Sequence, residues 1–174
     1  FSKDGDIHAW KDLRALPDSL GKLSHLKTLK LMSCKNLETL PETGVAGLVN
    51  LEALDLAFCS NFKQLPQSIA KLAKLKTLGL YKCKNLETLP ETGVAGLVNL
   101  EELDLMSCKK LKQLPQSIAK LTKLKTLNLF KCRNLAEPLP ALSHPLPGLK
   151  ITNVDSASDA AKAWEKRGFT SLAN

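Results

Sequence analysis

Cysteine recurs along this chain at an almost constant interval, and that interval limits what the chain can fold into. Successive cysteines are 25, 24, 25 and 24 residues apart, at Cys34, Cys59, Cys83, Cys108 and Cys132. Residues 34–82 and 83–131, here called the first and second copies, align without a gap and differ at nine positions. A coil of about 24 residues cannot bury its own apolar side chains, so neighbouring coils must stack into one continuous core.

A framework of leucines accompanies the cysteines in the pattern L-x-x-L-x-L-x-x-C-x-x-L-x-x-L-P. One coil runs from Leu75 through Leu78 and Leu80 to Cys83 and ends at Pro90. The alternation at Leu78 and Leu80 predicts a short strand with its leucines on one face. Parallel strands of successive coils, stacked about 4.8 Å apart, would bury those leucines against each other and turn the intervening residues outward.

The segments that follow the prolines complete each coil on the side away from the strands. Residues 66–72 and 115–121 begin with proline, which suits the first turn of a helix, and we predict short helices there. Residues 42–47 and 91–96 each contain two glycines, and we expect an irregular or 3₁₀ turn instead.

The five coils together resemble the leucine-rich repeat family. Cysteine in the ninth position, followed by the pattern x-x-L-x-x-L-P-x-x-I-x-x-L as in residues 108–121, is most similar to intracellular plant-type repeats, including those of nucleotide-binding immune receptors. The resemblance implies an α/β fold: a right-handed solenoid with a curved parallel sheet on its concave face and short helices or 3₁₀ turns on its convex face. It also implies a protein-recognition module, for which a sensing or regulatory segment of a larger intracellular receptor is one plausible parent.

The ends of the chain follow the pattern less closely. We predict about seven coils over residues 1–154, with a degenerate first coil around Ile7 and Trp10 and a last one framed by Leu146, Leu149, Ile151 and Val154. Residues 155–174 are predicted to form a C-terminal capping helix, at 160–167, and a tail. No comparable cap precedes Ile7, which suggests further repeats or domains upstream in a longer parent chain.

Residues that carry most enzyme and metal chemistry are scattered in this sequence. Each cysteine falls in a different coil, whereas zinc sites draw on clustered pairs. His8, His25 and His144 have no cysteine or carboxylate at ligand spacing. Glu102 and Asp104 lie two residues apart on one strand, but a single flat sheet rarely encloses a dry catalytic site. We therefore predict a non-enzymatic protein that needs no metal or cofactor.

Cysteine usage also bears on the compartment. The cysteines are odd in number, and the sequence contains no N-x-S/T glycosylation site. Both features favour a reducing compartment, so we predict an intracellular, cytoplasmic location. No apolar run approaches the length of a membrane span.

The outward positions of the strands predict the binding site. The seventh position of the coils forms an apolar column, with Phe58 beside it, and exposed apolar surface usually marks an interface. The alternative is that this column only covers its neighbours or is shielded by an upstream domain. We predict apolar contacts from Met32, Phe58, Tyr81, Met106 and Phe130, and specificity from Lys82, Lys131, Asp55, Glu102 and Asp104.

Differences between the two copies point to the same face. Five of the nine fall in outward strand positions, whereas exposed convex positions have mostly stayed the same. This concentration is what adaptation to a ligand would produce. The five pairs are Ala53/Glu102, Ala57/Met106, Phe58/Ser107, Gly79/Asn128 and Tyr81/Phe130.

Charge suggests a second surface. The net charge is +8, and five cations follow the cysteine position along one rim, at Lys35, Lys84, Lys109, Lys110 and Arg133. This basic rim could bind nucleic acid or an anionic membrane, although the pattern favours a solvated rim that serves solubility. By contrast, the second position alternates in sign between neighbouring strands, which predicts ion pairs across the sheet, at Lys27, Glu52, Lys76, Glu101 and Lys125.

One further class of function remains open. The chain could be a structural subunit that packs permanently into a larger assembly, in which case the isolated chain would aggregate. Binding by the basic rim would instead weaken steeply as salt is raised.

Overall fold

A computed structural model describes residues 12–135, 150–152 and 171–172 of the chain. In these residues the strands form one seven-stranded parallel sheet whose order follows the sequence. Each strand therefore belongs to one coil and pairs only with the coils before and after it. The strands are β1 Thr28–Lys30, β2 Ala53–Asp55, β3 Thr77–Gly79, β4 Glu102–Asp104, β5 Thr126–Asn128, β6 Lys150–Thr152 and β7 Ser171–Leu172.

The pairing register keeps the leucine framework aligned from coil to coil. Leu29 pairs with Leu54, and the row continues through Leu78, Leu103 and Leu127. All of these side chains are buried in a single hydrophobic cluster that runs the length of the described coils. The leucine pattern thus correctly predicted a solenoid with a parallel sheet on one face.

Two kinds of short helix close the coils on the opposite face. Residues Glu42–Ala46 (α1) and Glu91–Ala95 (α2) form α-helices. Residues Asp18–Lys22, Gln67–Lys71 and Gln116–Lys120 form 3₁₀ helices. Short helices follow Pro66 and Pro115 as predicted, but they are of the 3₁₀ type that was expected in the other coils. The prediction of an irregular or 3₁₀ turn at residues 42–47 and 91–96 is wrong.

Coil length explains which helix forms. In the 25-residue coil the buried Val45 lies four positions after Pro41, and the Val45 N–H donates to the Pro41 carbonyl at 2.9 Å. In the 24-residue coil the buried Ile69 lies three positions after Pro66, and its N–H donates to the Pro66 carbonyl at 3.2 Å. The extra residue therefore completes an α-helical turn, where the shorter coil completes a 3₁₀ turn.

Glycines in the longer coils serve close packing between coils. A Cβ on Gly47 would overlap the carbonyl oxygen of Gly21 in the preceding coil, and one on Gly44 would lie 3.4 Å from Leu20 Cβ of that coil and 2.8 Å from Pro41 Cγ of its own. The expected turn rested on glycine as a helix breaker, but a single glycine costs a helix only about 1 kcal/mol, which packing can override.

The C-terminal strands differ in detail from the prediction. Ile151 pairs with Leu127 and takes the fourth position of its coil, where the pattern had placed Leu149. Leu149 and Ile151 are two residues apart, so an alternating pattern allows either of them in the fourth position. The insertion around residues 137–138 therefore left the register ambiguous in the sequence. Ser171 and Leu172, predicted as tail, pair with β6 as a further strand. The degenerate first coil at Ile7 and Trp10 and the capping helix at 160–167 lie outside the described residues.

Within the described part of the chain, none of the helices combines the length and the apolar character needed to cross a membrane.

Candidate functional site

Each strand ends in the same turn, which sets the direction of the side chains at its end. The residue before the cysteine position has a positive φ in every coil from β1 to β5, as at Phe58 (64°) and Lys82 (58°). This conformation is unfavourable for residues with a Cβ. A hydrogen bond between neighbouring coils helps to hold it, because the N–H of Phe58 donates to the Tyr81 carbonyl at 2.7 Å. The turn therefore ties each coil to the next and holds Phe58 beside Tyr81.

Acidic residues of the sheet contribute to this turn. Oδ1 of Asp55 accepts the N–H of Ala57 at 2.8 Å, and Oδ1 of Asp104 accepts the N–H of Met106 at 2.9 Å. Both aspartates were predicted to contribute to specificity, and their role in the turn was not predicted. Its signal in the sequence is an Asp two residues before the turn, a spacing typical of Asx turns.

Phe58, Tyr81 and Lys82 form an aromatic cluster at the strand ends. The rings of Phe58 and Tyr81 meet edge to face with centroids 4.9 Å apart and an interplanar angle of 77°. Lys82 Nζ lies 4.9 Å from the Phe58 centroid and 5.0 Å from the Tyr81 centroid. Phe58 keeps 36% of its surface exposed. The cluster is thus ordered by its own contacts while a large apolar ring still faces solvent.

The second copy builds only part of this cluster. Lys131 Nζ lies 4.8 Å from the Phe130 centroid. Ser107 occupies the position of Phe58 and is buried. The paired rings are therefore specific to the first copy.

A groove of about 420 Å³ runs over β1 to β4 beside the aromatic cluster. It brings together Met32, Phe58, Tyr81, Asp55, Glu102 and Asp104 of the predicted site. The other predicted site residues, Met106, Phe130, Lys82 and Lys131, do not line this groove. The groove is also lined by Ala53, Ala57 and Gly79, three small residues at outward positions where the two copies differ.

The carboxylates of the groove lie in different electrostatic environments. Burial raises the pKa of Asp104; the hydrogen bond from Met106 opposes that shift, and the nearby charge of Asp55 adds to it. Glu102 is exposed. The carboxylate of Asp104 is therefore incompletely compensated by its surroundings.

Comparison with known proteins decides the family. A family model described as a leucine-rich repeat region matches residues 11–167. This chain belongs to the leucine-rich repeat family. Members of the family commonly serve as protein-interaction modules. No curated protein sequence matches the chain.

Solved structures of other leucine-rich repeat proteins match as well. The leucine-rich repeat domain of the type III effector XopL is 33% identical, with a TM-score of 0.55. The match covers 75% of this chain and 53% of that one, so this chain spans about half the length of the XopL structure. The plant peptide hormone receptor RGFR1, solved in complex with RGF2, is 23% identical, with a TM-score of 0.37, over 80% of this chain and 34% of that one. A leucine-rich repeat protein from Leptospira interrogans is 18% identical, with a TM-score of 0.31, over 92% of this chain and 66% of that one.

The cysteines of this leucine-rich repeat chain form a hydrogen-bonded ladder. Cys59 Sγ donates to the carbonyl of Leu31 at 3.0 Å, and Cys83 Sγ donates to that of Leu56 at 3.2 Å. Cys108 and Cys132 repeat the contact with the coil before them. Burial raises the pKa of the Cys59 thiol to about 12 and that of Cys132 to about 11. These thiols are protonated and inward-facing, which suits core packing rather than nucleophilic or metal chemistry.

Charges of the leucine-rich repeat coils follow the predicted alternation. Lys76 Nζ lies 2.7 Å from a carboxylate oxygen of Glu52, and Lys27 lies 3.6 Å from the other. Lys125 and Glu101 form the corresponding pair in the second copy. The predicted ion pairs across the sheet are confirmed. Every residue of the basic rim, Lys35, Lys84, Lys109, Lys110 and Arg133, is exposed.

The residues considered for catalysis or metal binding are not gathered by the fold. In residues 12–135, 150–152 and 171–172, no three His, Cys, Asp or Glu residues are grouped so as to hold a metal ion. His25 is exposed, while His8 and His144 lie outside the described residues.

Proposed function

We propose that this chain is a recognition module that binds a protein or peptide on its concave sheet. The observation that carries the proposal is the groove over β1 to β4, where Phe58 and Tyr81 present ordered aromatic rings beside three carboxylates. Aromatic side chains held rigid at a partly exposed surface are typical anchors of protein interfaces, because they bury much apolar area at little entropic cost.

The residues have distinct roles in this proposal. Met32, Phe58 and Tyr81 line the groove and supply its apolar contacts, and Met106 and Phe130 extend that surface over the second copy. Asp55, Glu102 and Asp104 select for charge within the groove, while Lys82 and Lys131 do so at its edge. We assign the proposed module no catalytic role. Its groove is open and its carboxylates all project from one sheet, whereas catalytic sites are usually enclosed.

We also propose an intracellular setting, such as a sensing or regulatory segment of a larger receptor. All five cysteines are free, and they contribute to the core as thiols. A reducing compartment would keep this ladder intact.

An affinity capture from the native source tests the proposal. The baits are the natural chain and a Tyr81→Glu/Phe130→Glu variant that circular dichroism shows to be folded. Partners identified by mass spectrometry are expected to be lost from the variant, because two buried charges would oppose an apolar contact by several kcal/mol.

The control is a Val49→Glu variant, which changes an exposed apolar residue on the helix side that is 47% accessible. It should retain the same partners as the natural chain. Recovery of identical proteins by all three baits would refute recognition by the concave face and leave the basic rim or the convex face as the interaction surface.

A further inference from the structure

The basic rim departs from the way the coils arrange charge elsewhere. At the fourth residue after the cysteine, lysine and glutamate alternate from coil to coil and pair, as Lys63 does with Glu38 at 2.6 Å. At the first residue after the cysteine, three successive coils instead carry like charges, at Lys84, Lys109 and Arg133. Stacked coils bring these positions to about the 4.8 Å spacing of parallel strands, where like charges repel each other.

The fold does not compensate this row of charges. In residues 12–135, the five cations of the basic rim are exposed and none of them forms an ion pair. Glu87 lies close by in the sequence, but it is paired with Lys112 at 2.6 Å. The hydrogen bond and charge of Lys112 lower the pKa of Glu87, and the charge of Lys110 adds to that effect. A surface that breaks the charge pattern of its own fold is a candidate functional site.

Divergence between the two copies has strengthened the rim. Ser60 and Asn61 of the first copy are replaced by Lys109 and Lys110 in the second. These two differences are separate from the five on the concave strands, and both add a cation to the same surface. Because the first copy folds in the same register without these lysines, their charge is not a requirement of the coil.

One of the added lysines borders a pocket of about 280 Å³. Asn85 Nδ2 donates to Oδ1 of Asn61 at 3.3 Å, and the residue that continues this row in the next coil is Lys110. The pocket is lined by Lys63, Gln64, Asn85, Glu87, Thr88 and Lys110. Over residues 12–135, the side chains of Lys110, Gln64 and Thr88 have no hydrogen-bond partner. An ammonium, an amide and a hydroxyl are therefore available in the pocket, and together these donors suit a carboxylate.

The aromatic rings beside the rim favour a polypeptide over a nucleic acid. Lys82 Nζ lies over the rings of Phe58 and Tyr81, and Lys131 Nζ lies over that of Phe130. Single-stranded nucleic acids gain much of their affinity by stacking bases on such ring faces, which the lysines here already contact. An extended acidic polypeptide needs no stacking platform, and its side chains on one side repeat about every 6.7 Å.

We propose that the basic rim binds an acidic polypeptide segment of a partner, with one carboxylate of that segment in the pocket beside Lys110. Neighbouring acidic side chains of the segment pair with Lys84, Lys109 and Arg133. Binding offsets the repulsion within this row, which the fold leaves uncompensated. The rim residues do not line the groove over β1 to β4, so the inference does not depend on recognition by the concave face.

A titration followed by NMR locates the binding site. The ¹⁵N-labelled full chain is titrated with the peptide acetyl-Gly-Glu-Glu-Glu-Glu-Gly-amide, and separately with the corresponding glutamine peptide, which is neutral and nearly isosteric. We expect saturable shifts of the Lys84, Thr88 and Lys110 amide signals with the glutamate peptide and none with the glutamine peptide. The absence of saturable shifts, or shifts confined to other surfaces, would overturn the inference.

A variant borrowed from the first copy separates the rim from net charge. Lys109→Ser/Lys110→Asn restores the residues that the first copy has at these positions and is expected to weaken glutamate-peptide binding about tenfold. The control, Lys71→Ser/Lys120→Asn, removes the same charge from exposed positions of the 3₁₀ helices and should change the affinity by less than about twofold. Equal weakening by the two variants would mean that net charge alone attracts the peptide, which contradicts the inference.

Single variants test the pocket itself. Lys110 lines the pocket and Lys109 does not. Lys110→Asn should therefore weaken binding more than Lys109→Ser, although each removes one charge from the rim. Equal losses would contradict the placement of a carboxylate beside Lys110.

Nucleic acid and anionic membranes are the rival ligands. Pentathymidylate carries the same negative charge as the glutamate peptide, and we expect it to bind the rim more weakly because no free stacking platform adjoins the cations. Tighter binding of this oligonucleotide at Lys84 and Lys110 would overturn the assignment to a polypeptide. Binding of phosphatidylserine vesicles without binding of the peptide would overturn it as well.

Discussion

Replacing Phe62 with alanine is expected to lower the free energy of unfolding by about 3–5 kcal/mol, one of the largest effects available in this chain. Phe62 is fully buried and is the largest such side chain in the described core. It lies in a cluster shared with the coils on either side, so the cavity left by alanine cannot close without displacing neighbouring leucines. Urea denaturation followed by circular dichroism measures the change.

The second copy supplies the control for this prediction. Leu111 stands at the position of Phe62 in the same framework. Phe62→Leu should therefore cost less than about 1.5 kcal/mol, because a branched aliphatic side chain is already accommodated at this point of a coil. Equal and small losses for the two variants would contradict a tightly packed, continuous core.

Above pH 9 the chain is expected to lose stability steeply. In the unfolded chain the thiols ionise around their ordinary pKa of 9.0, whereas burial raises the pKa of Cys59 to about 12 in the fold. Burial also raises the pKa of Cys83 and Cys108. Unfolding then releases protons, so stability is fully present below pH 9 and is lost as pH rises toward the folded pKa. Each thiol contributes a slope of up to about 1.4 kcal/mol per pH unit.

Denaturant titrations at several pH values between about 8 and about 10.5 measure this slope. A Cys83→Ala variant is the comparison, because it removes one thiol of the ladder and leaves every lysine in place. Its stability should fall more gently with pH than that of the natural chain, by up to about 1.4 kcal/mol per pH unit. Parallel slopes in the two proteins would mean that Cys83 ionises as easily in the fold as in the unfolded chain.

The leucine framework made the sheet predictable from the sequence. Residues such as Leu54 and Leu78 recur at a spacing that only stacked coils can bury, so strand position and register followed directly. Alternating charges such as Glu52 and Lys76 were predictable for the same reason, since the register determines which positions become neighbours.

Helix type was less accessible to sequence reasoning. It depends on whether the next buried side chain lies three or four positions after a proline, as for Pro66 and Pro41. The glycines of the longer coils concealed this difference, because they suggested a turn where close packing against Gly21 requires them.

The groove was predicted only in part. Outward apolar residues such as Tyr81 identified the face, but a groove opens only where the neighbouring side chains are small. Gly79 and Ala57 carry no functional group and drew attention only through their divergence from the second copy. The contact between Phe58 and Lys82 was equally hidden, because it depends on a left-handed turn formed by residues other than glycine.

Site-specific photocrosslinking tests recognition by the concave face most directly. The photoreactive residue p-benzoylphenylalanine replaces Tyr81 in the groove in one protein and the exposed Val49 on the helix side in another. Each protein is irradiated in extract from the native source, and crosslinked partners are identified by mass spectrometry. We predict a discrete crosslinked partner from position 81 and none from position 49. Crosslinking from position 49 with none from position 81 would contradict concave-face recognition.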